Sequence, residues 1–241
     1  MEFEKVIFGR RSVRKFSDKS VEREKLNKII EAAIYAPSAT NKQAWKFIIV
    51  DDKSKKECIC KANGSVVKVG ADIIYNAPVG ILVLYRNDVS KNYKLYKDTI
   101  QSAAAAIENM LLMAYELGLG GCWLCKLPLP KYLREIFNIP KTYDIIAYVA
   151  LGYPHGDVDS HTLRHFEGDK EFANRRTRRY SVEDVSSYNI FEEKKECKET
   201  YKYVSLVCIL QKWQLSLKRG REGIAYKCLR LLLKALGEKW A

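Results

Sequence analysis

The chain is 241 residues long, with 47% apolar and 29% charged residues, thirteen glycines and six prolines. That composition is globular and excludes collagen-like, low-complexity and disordered classes; folding it buries about 70% of the surface the unfolded chain would expose, enough for a core with a ligand site. The 42 basic against 29 acidic residues leave a net charge of +13, which attracts phosphorylated cofactors, nucleic acid or acidic lipid without choosing among them.

The first residues, MEFEKVIFGRRSVRKF, carry charges where a leader needs an apolar run, so no signal peptide is expected. Ser20 is a candidate helix cap, with Glu22 and Glu24 in the positive first turn. Leu26, Ile29, Ile30, Ala33 and Ile34 then recur at helical spacing, and Pro37 stops the helix. After a polar loop, Ser38 to Gln43, Lys46 to Val50 reads as a buried strand, and a short helix is expected around Lys55 to Ala62. Val79 to Tyr85 is a second strand. From about Lys97 to Leu117 the pattern is helical, with Ile100, Ala103, Ala104, Ile107, Leu111, Ala114 and Leu117 on one face; Gly118 and Gly120 suit a left-handed stop. Glu108 and Glu116 interrupt the stretch from Ile100 to Leu119, so no membrane span is expected. Ile145 to Leu151 is a third strand, turned by Gly152, Tyr153 and Pro154. Helices around a sheet of few strands imply an α+β or α/β layer fold.

Residues 190–241 differ in composition, with 12 Lys or Arg, 6 Glu and no Asp, Pro or His. Two amphipathic helices broken at Gly220 and Gly223 are expected there, as a helical hairpin on the body; membrane-surface or partner binding is the alternative. The organisation expected is thus a domain over 1–189 and a basic helical extension over 190–241.

Four groups could carry chemistry. Arg10, Arg11, Ser12 and Arg14 put three guanidiniums and a hydroxyl within five residues; in an extended segment Arg10, Ser12 and Arg14 share a face and can converge on one anion. Pro37, Ser38, Ala39, Thr40, Asn41 and Gln43 form a loop with two amides able to donate and accept at the edge of a heteroaromatic ring. Gly118 to Cys125 bring glycine backbone close to a ligand, beside Trp123 and Leu124. Cys122 and Cys125 form a lone CxxC without a matching second pair or histidines, so neither metal nor thiol redox chemistry is expected. Arg175 to Arg179 offer a second anion site. A solvated basic stretch or an ordinary connecting loop remains an alternative for the arginine-rich groups. The spacing of Gly118, Gly120 and Gly121 is not a dinucleotide fingerprint, and no P-loop, HExxH or Ser-His-Asp order is present. Seven cysteines in a chain too large to need staples suggest free thiols in the cytoplasm.

Taken together, RRSVRKF, APSATNKQAWKFIIV, GLGGCWL after an Ala-rich helix, ALGYP and the late arginines, in that order, resemble the FMN-dependent nitroreductase family. That family includes flavin reductases and iodotyrosine deiodinase-like enzymes, and the resemblance spans about residues 3 to 189. It implies an α+β, α/β/α sandwich forming an intertwined homodimer, with FMN sites lined by both chains. It further implies that Arg10, Arg11, Ser12 and Arg14 hold the FMN phosphate and ribityl chain. Pro37, Ser38, Ala39 and Asn41 would lie beside the flavin, Trp123, Leu124 and Cys125 near its ring, and Arg179, or else Arg178, would reach the phosphate. The family's usual proline after Gln43 is Ala44 here. The implied activity is hydride transfer from NADH or NADPH through FMN to a small-molecule acceptor such as a nitroaromatic or quinone, with no catalytic side chain required. Two alternatives stand beside it: a non-catalytic flavin-binding or sensing module, and a nucleic-acid-binding protein, for which no recognition motif is present.

Overall fold

The computed structural model describes residues 2–62, 68–89, 97–156, 182–187 and 189. The chain divides into two compact units, Met1–Thr177 and Arg178–Ala241. Of the second, the described residues include the short helix Val182–Val185; the expected helical extension, 190–241, lies outside the described residues.

In the first unit, α1 (Phe3–Gly9), α2 (Arg23–Ile34) and a single 3-10 turn (Ala39–Asn41) precede β1 (Trp45–Val50). Then come α3 (Lys53–Ala62), α4 (Lys68–Asn76), β2 (Val79–Arg86), α5 (Asp98–Glu116), β3 (Gly120–Leu124), α6 (Pro130–Phe137) and β4 (Tyr143–Gly152). The strands form one antiparallel sheet in the order β1-β2-β4-β3. β2 is buried at every position except Arg86. It is central and covered on both faces, which is why its sequence is a continuous apolar run.

Strand alternation sorts the core into two layers. Ile81, Val83, Tyr85, Val149 and Leu151 pack with Leu26, Ile29 and Ala33 of α2 and with the buried face of α5. Leu82, Leu84, Tyr148 and Ala150 pack on the other side with Ile59 of α3, Ile73 and Ile74 of α4 and Leu133 of α6. The result is the expected α/β/α sandwich.

Three local expectations change. Glu22, not Ser20, occupies the cap position of α2, without a side-chain cap bond. Ile100 is 51% exposed: the buried stripe of α5 starts from Thr99 and Ser102 and continues through Ala103, Ala106, Ile107 and Met110, so Ile100 falls outside it. Gly118, at φ 75°, ends α5 as expected, but Gly120 belongs to a strand that its Gly-Gly-Cys composition conceals. Among the described residues no helix is long and apolar enough to cross a membrane.

Candidate active site

Beyond Gly9 the backbone turns extended at Arg10 (φ −56°, ψ 133°). The segment then runs along the outer edge of β3. Ser12 bridges to Gly121 in parallel register, and the Val13 N–H donates to the Gly121 carbonyl at 3.0 Å. Val13 is the buried anchor, 2% exposed. A Cβ at position 120 would stand 2.5 Å from Val13 Cγ2, so glycine there permits the approach. Further on, the Ser17 N–H donates to the Tyr153 carbonyl at 2.8 Å and the His155 N–H to the Lys15 carbonyl at 3.2 Å. The first and third sequence groups are therefore one surface.

Arg10, Arg11, Ser12 and Arg14 are all half-buried. Arg10 Nε pairs with Glu108 of α5 at 3.3 Å. Arg11 donates to the Phe8 carbonyl at 2.6 Å and its neighbour's at 3.0 Å, and Arg14 donates to the Ser12 carbonyl at 3.1 Å. Carbonyls orient these two guanidiniums without neutralising them; among the described residues neither Arg11 nor Arg14 has a carboxylate partner. Because Gly121 turns its carbonyl to the outer edge, the two-residue alternation of the ladder turns the Trp123 N–H to the same edge. The Trp123 indole N–H is buried without a hydrogen-bond partner among the described residues. Cys122 is buried, which pushes its thiol up against the opposing influence of Arg14; Cys125 is exposed, and both are free. Cys122 lies within β3, and Cys125 is the residue just beyond its end. Among the described residues no group of three or more His, Cys, Asp or Glu could hold a metal.

The second group occupies a different station. Thr40, Asn41 and Gln43 have φ of 52°, 54° and 48°, in the left-handed region that side chains disfavour. Ser38 braces this loop from within: its Oγ accepts the Gln43 N–H at 3.1 Å and its carbonyl accepts the Asn41 N–H at 2.9 Å. Gln43 Nε2 donates to Asn41 Oδ1 at 2.9 Å, which leaves the Asn41 Nδ2 donors facing away from that bond. Outside contacts run to the start of α5: the Ala39 N–H donates to Ser102 Oγ at 3.2 Å, and Lys42 Nζ lies 3.8 Å from Asp98 Oδ2.

Arg10 meets Glu108 and Lys42 meets Asp98 on one helix. About ten residues of α5 separate those contacts, about 15 Å along its axis. The structure thus sets the arginine strip against Gly121, on the strand that carries Trp123 and Leu124 with Cys125 just beyond it, and ties the loop of Pro37, Ser38, Ala39 and Asn41 to the start of α5. Arg178 and Arg179 lie outside the described residues. Sequence reasoning placed Gly121 among the glycines beside a ligand but missed that it carries the strip, and it missed Ser102, which ties the loop. A serine opening the Ala103–Ala106 run was the available signal for the latter.

The arrangement can hold an anion: two guanidiniums that have no carboxylate partner among the described residues and a hydroxyl sit beside a strand edge that offers backbone N–H. Comparison with known proteins adds ancestry. The model of the nitroreductase family matches residues 7–68 and 61–153. A protein of Archaeoglobus fulgidus with the provisional name NADH dehydrogenase/NAD(P)H nitroreductase is 37% identical over 171 residues, 70% of this chain and 91% of that protein. The crystal structure of a nitroreductase family protein from Clostridium novyi NT superposes with a TM-score of 0.61 at 30% identity, covering 67% of this chain and 92% of that one. An FMN-dependent nitroreductase from Clostridium difficile R20291 gives 0.57 at 27% identity, covering 78% and 98%.

Proposed function

The chain belongs to the nitroreductase family, and from that premise we propose that it is an FMN-dependent NAD(P)H oxidoreductase, exchanging reductant and a nitroaromatic or quinone acceptor in ping-pong order at a site shared by two copies of the chain. One observation carries this reading: the arginine strip is pinned to the β3 edge with the guanidiniums of Arg11 and Arg14 oriented by carbonyls and, among the described residues, not paired with a carboxylate.

The residues fit the cofactor. A phosphate monoester needs bidentate cations and short neutral donors, which Arg11, Arg14 and the Ser12 hydroxyl supply. Arg10, already paired with Glu108, contributes position more than charge. An isoalloxazine needs donors at its oxygens and nitrogens; the outward Trp123 N–H and the Asn41 amide are of that kind, with Leu124 and Cys125 beside the former. Bound FMN supplies the hydride relay between nicotinamide and acceptor. The chain's part is to bind, orient and favour negative charge on the ring, through fixed donors that need no reorganisation. None of these residues has to act as a nucleophile or acid.

Separation of the loop from the strip supports the two-chain reading, since Ser38, Ala39 and Asn41 then face the cofactor of the partner copy. Arg178 or Arg179 would complete the phosphate grip, and cytoplasmic location follows from the free thiols and the nicotinamide reductant. Purified protein should be yellow, with flavin absorbance near about 450 nm, and should oxidise NAD(P)H when a quinone or nitroarene is added. Arg14→Ala and Ser12→Ala should each weaken FMN retention by about 1.5–3 kcal/mol, the range for a hydrogen bond to a charged group. A colourless protein that gains neither absorbance nor thermal stability from added FMN refutes the reading.

A further inference from the structure

Ser102 is 5% exposed and opens a run of alanines on the buried face of α5. A buried hydroxyl needs partners, and both of its bonds are accounted for. Oγ donates to the Asp98 carbonyl one turn back at 2.7 Å. With its proton fixed there, its lone pairs are left to accept the Ala39 N–H at 3.2 Å. Asp98, whose carbonyl orients Ser102, also meets Lys42 at the other end of the loop. The left-handed Thr40 and Asn41 lie between those two ties, and the left-handed Gln43 follows directly after the second. Strained backbone of this kind persists only where its surroundings over-determine it. Internal bonds around Ser38 close the loop on itself, but they do not attach it to the body.

We infer that Ser102 is a positioning residue: it touches no cofactor, and through Ala39 it fixes the strained Ser38–Gln43 loop in the form that presents Asn41 to the flavin. The inference rests on the FMN reading above for the identity of the ligand, whereas the tie itself stands on the geometry.

A double-mutant cycle tests it. Ser102→Ala deletes the acceptor and keeps a strong helix former. Ala39→Pro deletes the donor at the first position of the 3-10 turn after the Ser38 cap, where proline is tolerated. Hydrogen exchange at the Asn41, Lys42 and Gln43 amides is read with and without FMN, alongside the FMN dissociation constant. Each single variant should speed loop exchange about tenfold and weaken FMN about tenfold, with exchange in β2 and β4 unchanged; Ser102→Ala should add nothing in the Ala39→Pro background. Wild-type exchange and affinity in Ser102→Ala would overturn the inference, as would effects that add in the double variant. A wild-type chain that binds no FMN would instead defeat the cofactor reading, and the exchange arm alone would then decide whether Ser102 holds the loop.

Discussion

Two adjacent glycines on β3 make different demands, and the difference can be measured. A Cβ at Gly120 meets three atoms of Val13 at 2.5–2.8 Å. Valine is stiff about χ1 and cannot swing aside, so the strip itself has to move. A Cβ at Gly121 meets the far end of Leu111 at 2.6 Å, which can rotate away. Gly120→Ala should therefore cost about 1–3 kcal/mol of stability, the usual penalty of overpacking, and should also loosen FMN by displacing Ser12 and Arg14. Gly121→Ala should cost less on both measures. Thermal melts and flavin titration of the pair decide it; equal effects would mean that Val13 does not hold the strip in place. Cysteine chemistry separates between β3 and the residue that follows it. The buried Cys122 thiol is pushed up and stays neutral near pH 7, whereas Cys125 is exposed. Peptide mapping after brief alkylation of the folded protein should find Cys125 modified and Cys122 intact, and FMN should slow the reaction at Cys125.

At the scale of elements, the strip from Arg10 to Ser17 is held by two isolated bridges, Ser12 to Gly121 and Phe16 to Pro154, and its far end is fixed by a polar knot. The Tyr153 hydroxyl donates to the Glu22 carboxylate at 2.7 and 2.9 Å and accepts from Lys25 Nζ at 2.8 Å, while Lys25 also donates to the last carbonyl region of α5 at Leu117, 3.0 Å away. The Tyr153 hydrogen bond is the main cause that lowers Glu22 and raises Lys25 from their ordinary values. Glu22 thus adds stability above the ordinary carboxylate range, lost as pH falls through its lowered value; Lys25 adds stability that is lost as pH rises through its raised one. Tyr153→Phe should lower the middle of the stability–pH curve most, flatten both flanks and leave the acid and alkaline extremes least changed. Urea unfolding between pH 3 and 11 reads this directly, and an unaltered acid flank would show that the knot contributes nothing. What the sequence revealed follows the same physics. β2, β4, α2 and α5 were legible because burial imposes a period or an unbroken apolar run; β1 was legible from its β-branched and aromatic residues, although it is an edge strand in which Val50 alone is buried, not the buried strand expected. β3 was not, because glycines chosen for close approach carry no strand propensity. α1 was masked by the charges flanking its one buried residue, Val6, and α6 was hidden by the brevity of its apolar face, which buries Leu133 alone.

Over the whole molecule, the residue types of the candidate site could be read from the chain, but their grouping could not. RRSVR and GGCW are far apart in sequence and meet because β3 is an edge strand with room beside it. The Ser38–Asn41 loop is nearer to the strip in sequence, yet α5 holds the two apart. On the shared-site proposal a cofactor draws them from two copies, and α1 is the surface we propose meets the partner. Phe3 is 73% and Phe8 71% exposed on one seven-residue helix, next to the carbonyl that Arg11 grips. Burying such side chains against a partner stabilises by about 1.5–3 kcal/mol apiece, and a twofold axis doubles the count. The double variant Phe3→Glu/Phe8→Glu should accordingly halve the mass seen by light scattering and lose FMN, while the core stripe of α5, facing away, keeps the fold melting cooperatively. A wild-type monomer holding one FMN would defeat the shared-site reading outright, and a dimeric double variant with undiminished flavin would move the interface away from α1.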